Sequence, residues 1–308
     1  MLSAVFLHNR PFSWSDWVVY PEFLVGWLLF GAAYLLAAGP FRHRFEGSEQ
    51  VPLRQIAMFV FAMMLMLVSL QGPLHELSDY FLFSAHMVQH LLIMLVMPPF
   101  LLLSIPAWMA RPILRIPGVR PFARIATKPV AAFLLVNFVF GIWHFREPYD
   151  LMMRDHNVHV SMHLMIMAVG VVLWWPVMSP LPELPRLPGP AQILYLFVIG
   201  IPMMVVAVVI GFSDTHFYTW YAEAPRIFPL TVIDDQRLGA LIMWVPGALV
   251  MWIGISFAYF RWSRPEINED ERGTGVAGVG SQGVLISPPP YPAMVEEFSF
   301  KRKKRIKE

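Results

Sequence analysis

The chain has 308 residues, of which 57% are hydrophobic and 14% charged, with a formal net charge of +2 and a mean hydropathy of +0.55. That balance excludes an ordinary soluble globular domain and marks an integral membrane protein. The sequence has 0 cysteines, which excludes disulfides, thiolate metal sites and haem attached through Cys-x-x-Cys-His, so any metal must be held by nitrogen, oxygen or thioether ligands.

Apolar runs long enough to cross roughly 30 Å of hydrocarbon, about 20 residues each, predict seven spans at approximately 18–38, 54–72, 82–104, 129–145, 158–179, 191–212 and 238–260. The expected fold is all-α, an integral membrane helical bundle. Pro98, Pro99, Pro202 and Pro246 are expected to kink their helices, which packed neighbours tolerate. The start, up to Trp17, has a short apolar patch without a basic n-region or a small-residue cleavage site, so no removable signal peptide is expected. Placing the N-terminus outside leaves only Arg10, Arg146, Arg154, Arg226 and Arg237 on the outer side and every other Lys and Arg inside. The positive-inside rule therefore predicts N-out, C-in. A membrane domain is expected over 1–260. Residues 261–308, Gly-rich around Gly273–Gly283 and followed by Ser287-Pro288-Pro289-Pro290 and a basic end, are expected to form a flexible cytoplasmic tail. That end reads as an anionic-lipid anchor or a docking segment, and is too short for nucleic-acid binding.

In this topology all of the 10 histidines except His43 fall at or near the outer side. Four form two His-x-x-x-His pairs inside apolar helices, His86 with His90 and His159 with His163. Ionisable residues in lipid are costly and point to function. At about 100° per residue, His86, His90, Met94 and Met97 share an arc of roughly 80° on the third span, and Met152, His156, His159, His163 and Met167 share a similar face around the fifth. Facing each other, these stripes would form an outward-opening pocket of imidazole and thioether groups, which His144 and Asp150 could close. Imidazole suits copper, zinc and iron, and thioether favours Cu(I). A lone membrane histidine is as often an interhelical hydrogen bonder, and a lone methionine is usually packing. Two pairs on one side shift the balance toward a metal or cofactor.

Other polar groups have ordinary readings beside functional ones. Asn137, on the face of His144, either orients that imidazole or bonds between helices. Asp234 and Asp235 either attract cations or complement a helix N-terminus. Trp14, Trp17, Trp143, Trp220 and Tyr221 read as interfacial anchors.

The segment His86-Met87-Val88-Gln89-His90-Leu91-Leu92, followed by Met97-Pro98-Pro99, resembles the third-span motif of the CtaG-type multi-span membrane proteins, assembly factors for cytochrome c oxidase. Trp143-His144, Tyr149-Asp150, His159 with His163, Trp174-Trp175-Pro176-Val177, and Asp235-Gln236-Arg237-Leu238-Gly239 running into Leu241–Gly247 look like later signatures of that family in order. The resemblance covers roughly residues 18–260. It implies a seven-span fold in the bacterial plasma membrane, oxidase subunits and membrane lipids as partners, and a role in copper handling for the catalytic subunit. Two departures stand out: Arg146 and Glu147 replace a proline-bearing turn, and Met162 stands where an acidic residue often precedes the second histidine.

The leading expectation is a non-enzymatic copper carrier using His86, His90, His159 and His163, helped by His144, His156, Asp150 and Met94. No nucleophile, phosphate loop or general-acid pair adds a catalytic signal. A haem-carrying or accessory respiratory subunit is the alternative, although His pairs one turn apart suit a compact ion site better than stacked haems. A copper transporter is disfavoured, because polar residues stay in the outer halves of the spans.

Overall fold

The computed structural model describes residues 12–14 and 19–274, with side chains described as far as Arg264. His8, Trp17 and the predicted tail beyond 274 lie outside the described residues. The chain divides into the units Met1–Ser263 and Arg264–Glu308, and the features below belong to the first.

The described residues form helices and no strand. The elements that matter are α1 (Pro21–Ala38), α2 (Leu53–Leu70), α3 (Pro73–Tyr80), α4 (Phe83–Ser104), α5 (Val119–Ala126), α6 (Pro129–Ile142), α7 (Arg146–Arg154), α8 (His156–Met178), α9 (Gly189–Gly211), α10 (Thr219–Glu223) and α11 (Val232–Thr274). Six helices are long and apolar enough to cross a membrane: α1, α2, α4, α8, α9 and α11. The fourth predicted span differs. Its helix α6 has 14 residues, about 21 Å at 1.5 Å per residue, and it meets α5 at a bend of 88°. Counting that bent pair as one span gives seven. The reason lies in Lys128-Pro129, since a residue before proline leaves the α region and stops α5 from continuing.

α4 and α8 form the centre, with about half of each span buried inside the protein. α4 carries a π-helical turn over Leu91–Val96 just before Pro98. Pro98 has no N–H to offer the carbonyl of Met94 four residues back, and the widened turn relieves the ring clash that would follow. α8 meets α4 at this point. A Cβ on Gly170 would lie 2.6 Å from the Met94 carbonyl oxygen and 3.0 Å from Pro98 Cγ, so only glycine permits the approach, as at other close membrane helix crossings. Gly170→Ala is expected to push the two helices apart at a cost of about 1–3 kcal/mol, read as a lower thermal midpoint of the detergent-solubilised protein. An unchanged midpoint would show that this crossing is not tight.

α1 sits at the periphery and exposes most of its surface, with 6% of its span buried. It is tied to α2 by Tyr34 stacked on Phe59 at 3.7 Å and by Trp27 Nε1 donating to the Met63 carbonyl at 2.8 Å. Residues of α1 and α8 line a cavity between them, and Glu22 at the start of α1 reaches His156 at the start of α8.

Candidate metal site

Five histidines from three helices meet at the predicted outer end of α4 and α8. Ring centroids are 4.2 Å apart for His86–His90, 4.6 Å for His159–His163, 5.7 Å for His90–His163 and 6.0 Å for His86–His159. His75 on α3 joins them at 5.9 Å from His163 and 6.2 Å from His159. Two imidazoles sharing one ion at about 2.0–2.1 Å per Metal–N bond place their ring centres roughly 5–6.5 Å apart. The distances between helices are on that scale, while the two pairs within a helix are closer. Among the described residues no three His, Asp or Glu side chains are placed so that together they could hold a metal ion as they stand, so binding would require the side chains to move.

Burial sharpens the chemistry. His86 is 0% exposed, and neither of its ring nitrogens has a hydrogen-bond partner. The Nε2 atoms of His90, His159 and His163 are likewise buried without one. Buried polar atoms normally find partners, and each that does not costs about 1–3 kcal/mol. A cluster of imidazole nitrogens left bare in one place is the donor set a metal ion fits.

His75 plays a different part. Gln89 Nε2 donates to the Ser69 carbonyl at 2.8 Å and approaches His75 Nδ1 at 2.8 Å. Its amide nitrogen faces both atoms, so Nδ1 is the acceptor and the proton of a neutral His75 sits on Nε2. That Nε2 points at Asp79 Oδ2, 3.4 Å away, while Asp79 Oδ1 lies 3.6 Å from His159 Nε2 and accepts from Ser78 Oγ at 3.0 Å. Burial pushes the His75 pKa below the ordinary histidine value, with Asp79 pulling back toward it. Asp79 is therefore a carboxylate placed between two imidazoles, facing the protonated Nε2 of His75 and the Nε2 of His159, so its oxygen stands beside the cluster's nitrogens and not behind a ring. Neither His75 nor Asp79 stands among the predicted ligands. The signal was a third i, i+4 pair, His75 with Asp79, directly before the third predicted span.

A cavity of about 540 Å³ leads to the cluster from the side of α1, lined by His75, Asp79, His159 and His163 above and by Trp27, Met66 and Met167 below. Its rim carries Glu22, Arg154 and His156. His156 is exposed, with Nε2 3.3 Å from Glu22 Oε1 and its ring 6.2 Å from that of Tyr20. It stands at the entrance and not in the cluster, because it opens α8 one turn outside His159.

Other predicted residues are placed elsewhere. Asp150 turns away from the histidines, with Oδ2 accepting from Thr219 Oγ1 at 2.5 Å, and so ties α7 to α10. His144 and Met94 do not line the outer cavity. They line a separate small one with His90. Asn137 does not orient His144, since its Nδ2 donates to Phe133 O on its own helix at 2.9 Å and His144 Nδ1 pairs with Phe140 O at 2.7 Å. Trp220 and Tyr221 are 2% exposed each, so they are not interfacial anchors. Trp220 Nε1 donates to Asp79 O at 2.6 Å and Tyr221 OH to Ser78 O at 2.6 Å, which fixes α3 and its His–Asp pair.

The Asp235–Gly239 signature is an anchor. Asp235 accepts from Phe83 N at 2.8 Å, Ser84 N at 3.1 Å and Ser84 Oγ at 2.5 Å, capping α4 from another helix. Gln236 accepts from Phe217 N at 2.7 Å and donates to Ile210 O at 3.0 Å. Gly239 lets α11 come this near, since a Cβ there would fall 2.4 Å from the Phe83 ring.

Three curated mycobacterial proteins, each described only as uncharacterized, are similar to this chain. Those of Mycobacterium bovis and Mycobacterium tuberculosis are 27% identical over 207 residues, and that of Mycobacterium leprae is 27% identical over 208 residues. Each alignment covers 60% of this chain and 30% of the relative, so the chain spans less than a third of the length of the curated relatives it matches. No solved structure matches. The family model described as cytochrome c oxidase caa3 assembly factor matches residues 32–265, which takes in the histidine helices and the Asp235–Gly239 anchor, and this multi-pass membrane protein belongs to that family.

Proposed function

We propose that the protein is a membrane copper carrier that serves the assembly of cytochrome c oxidase, with copper as cargo and not as the cofactor of a reaction. The observation that carries this reading is the set of buried imidazole nitrogens without a hydrogen-bond partner on His86, His90 and His163, joined by His159 Nε2, whose nearest polar neighbour is Asp79 Oδ1 at 3.6 Å. Such nitrogens weigh against folding unless something occupies them, and imidazole is a donor for copper in a chain without cysteine. Copper would enter through the lateral cavity past His156, meet His159 and His163, and settle among the four histidines with the Asp79 carboxylate beside His159 Nε2. Release would be to an oxidase subunit docked beside the weakly packed α1, in the bacterial plasma membrane.

The test is an anaerobic Cu(I) titration of the detergent-purified full chain against a chromophoric competitor, together with its visible spectrum. Retained copper with no Soret band, and copper-poor oxidase in cells lacking the protein, are the expected results. A Soret band would replace the reading with haem carriage. Failure to bind copper under any loading condition would leave a scaffold role.

A further inference from the structure

His90 belongs to the histidine cluster through its ring contacts with His86 and His163, but the cavity it lines is a different one. This is a separate pocket of about 30 Å³ lined by His90, His144, Met87, Met94, Met203 and Met243. Both imidazoles are buried, at 8% and 7% exposure, and the Nε2 atom of each lacks a partner. His144 Nδ1 lies 2.7 Å from Phe140 O. A carbonyl only accepts, so Nδ1 carries the proton and Nε2 presents a bare lone pair. A backbone carbonyl on the far nitrogen is the usual way a ligating histidine is held in its tautomer and orientation. The pocket brings α4, α6, α9 and α11 together, and its volume is enough for one ion or one water.

We propose that this pocket is a second site, selective for Cu(I), in which His90 and His144 supply nitrogen and Met94 with one or more of Met87, Met203 and Met243 supplies thioether sulfur. It deepens the proposed function and rests on it: His90 Nε2 serves the inner ion when both sites are filled and leaves His86, His159 and His163 to the outer one, so an ion leaving the outer cluster has a soft, dry position one residue away. Four methionines around two imidazoles form a donor set without a hard ligand. Thioether sulfur favours Cu(I), whereas divalent copper prefers nitrogen and oxygen in a square arrangement. The outer cluster, which has Asp79 beside it, lacks that selectivity. The competing occupant is one water bridging the two Nε2 atoms, which would find no further polar partner where waters usually find about three.

The experiment is X-ray absorption at the copper edge on the full-length protein loaded with Cu(I) under anaerobic conditions, alongside a Met94→Leu/Met243→Leu variant. Leucine keeps the volume and removes the sulfur. The expected result is a sulfur scattering shell and two equivalents of Cu(I) in the native protein, with the shell lost and one equivalent remaining in the variant. A spectrum of nitrogen and oxygen scatterers alone, unchanged in the variant while copper still binds, overturns the second site and leaves the outer one standing. Absence of bound copper in the native protein overturns both. Should the leucine variant lose its thermal midpoint, His144→Gln reports on the same pocket, and an unchanged sulfur shell and stoichiometry there again overturn the proposal.

Discussion

Replacing His86 and His163 together with leucine is expected to lower Cu(I) affinity at least about a thousandfold, roughly 4 kcal/mol at 1.4 kcal/mol per decade, while leaving the metal-free protein as stable as before or more so. The two halves of this expectation come from one fact. Both His86 nitrogens and His163 Nε2 are buried with no hydrogen-bond partner within the protein, each at a cost of about 1–3 kcal/mol when nothing else occupies it. Leucine has similar bulk without the polar atoms, so the native fold gains what the site loses, the exchange expected where a fold carries strain for function. The histidine count itself is controlled by His216→Ala, an exposed position, which should leave both quantities unchanged. Competition titration gives the affinity, and a thermal melt of the metal-free protein gives the stability. A metal-free variant that melts far below the native protein would show that these nitrogens are already satisfied, which removes the physical case for a metal.

The sequence carried the two stripes on α4 and α8 plainly, because a 3.6-residue period places His86 with His90 and His159 with His163 whatever the helices pack against. What faces a stripe is a tertiary fact. Asp150 and His156 fit the pattern by position, yet a one-turn offset puts His156 at the rim beside Glu22, and the turn into α7 sends Asp150 to Thr219. His75 and Asp79 were hidden for the opposite reason: they sit on a short helix outside any apolar run, and contacts distant in sequence, among them those of Gln89, Trp220 and Tyr221, hold that helix onto the cluster. The division of the histidines into two cavities was likewise invisible, since it depends on α6, α9 and α11 closing around His144. Six of the spans follow from hydropathy; the fourth predicted span takes another form, because apolar length says nothing of the 88° bend at Lys128-Pro129.

Asp235→Ala is expected to be the most damaging single substitution outside the metal ligands, costing about 4 kcal/mol. Asp235 is 1% exposed, and it takes the Phe83 and Ser84 amides and the Ser84 hydroxyl, donors at the start of α4. A helix leaves its first N–H groups without intrahelical partners, and here a carboxylate from α11 supplies what a local cap would. Removing it strands two buried amides at about 1–3 kcal/mol each and forfeits the favourable placement of a carboxylate at a helix N-terminus. Asparagine is no rescue, because its amide nitrogen would face one of those N–H donors. The neighbour Asp234 makes the contrast: it is exposed and holds only Thr231 Oγ1 at 2.6 Å, so Asp234→Ala should cost under about 1 kcal/mol, the range for loss of an exposed local cap. His86 lies two residues beyond Ser84 on the same helix, so loosening this end of α4 moves a predicted ligand as well. Asp235→Ala is therefore expected to weaken Cu(I) binding although Asp235 touches no histidine. Loss of thermal stability with unchanged affinity in the surviving folded fraction would confine Asp235 to holding α4 and α11 together.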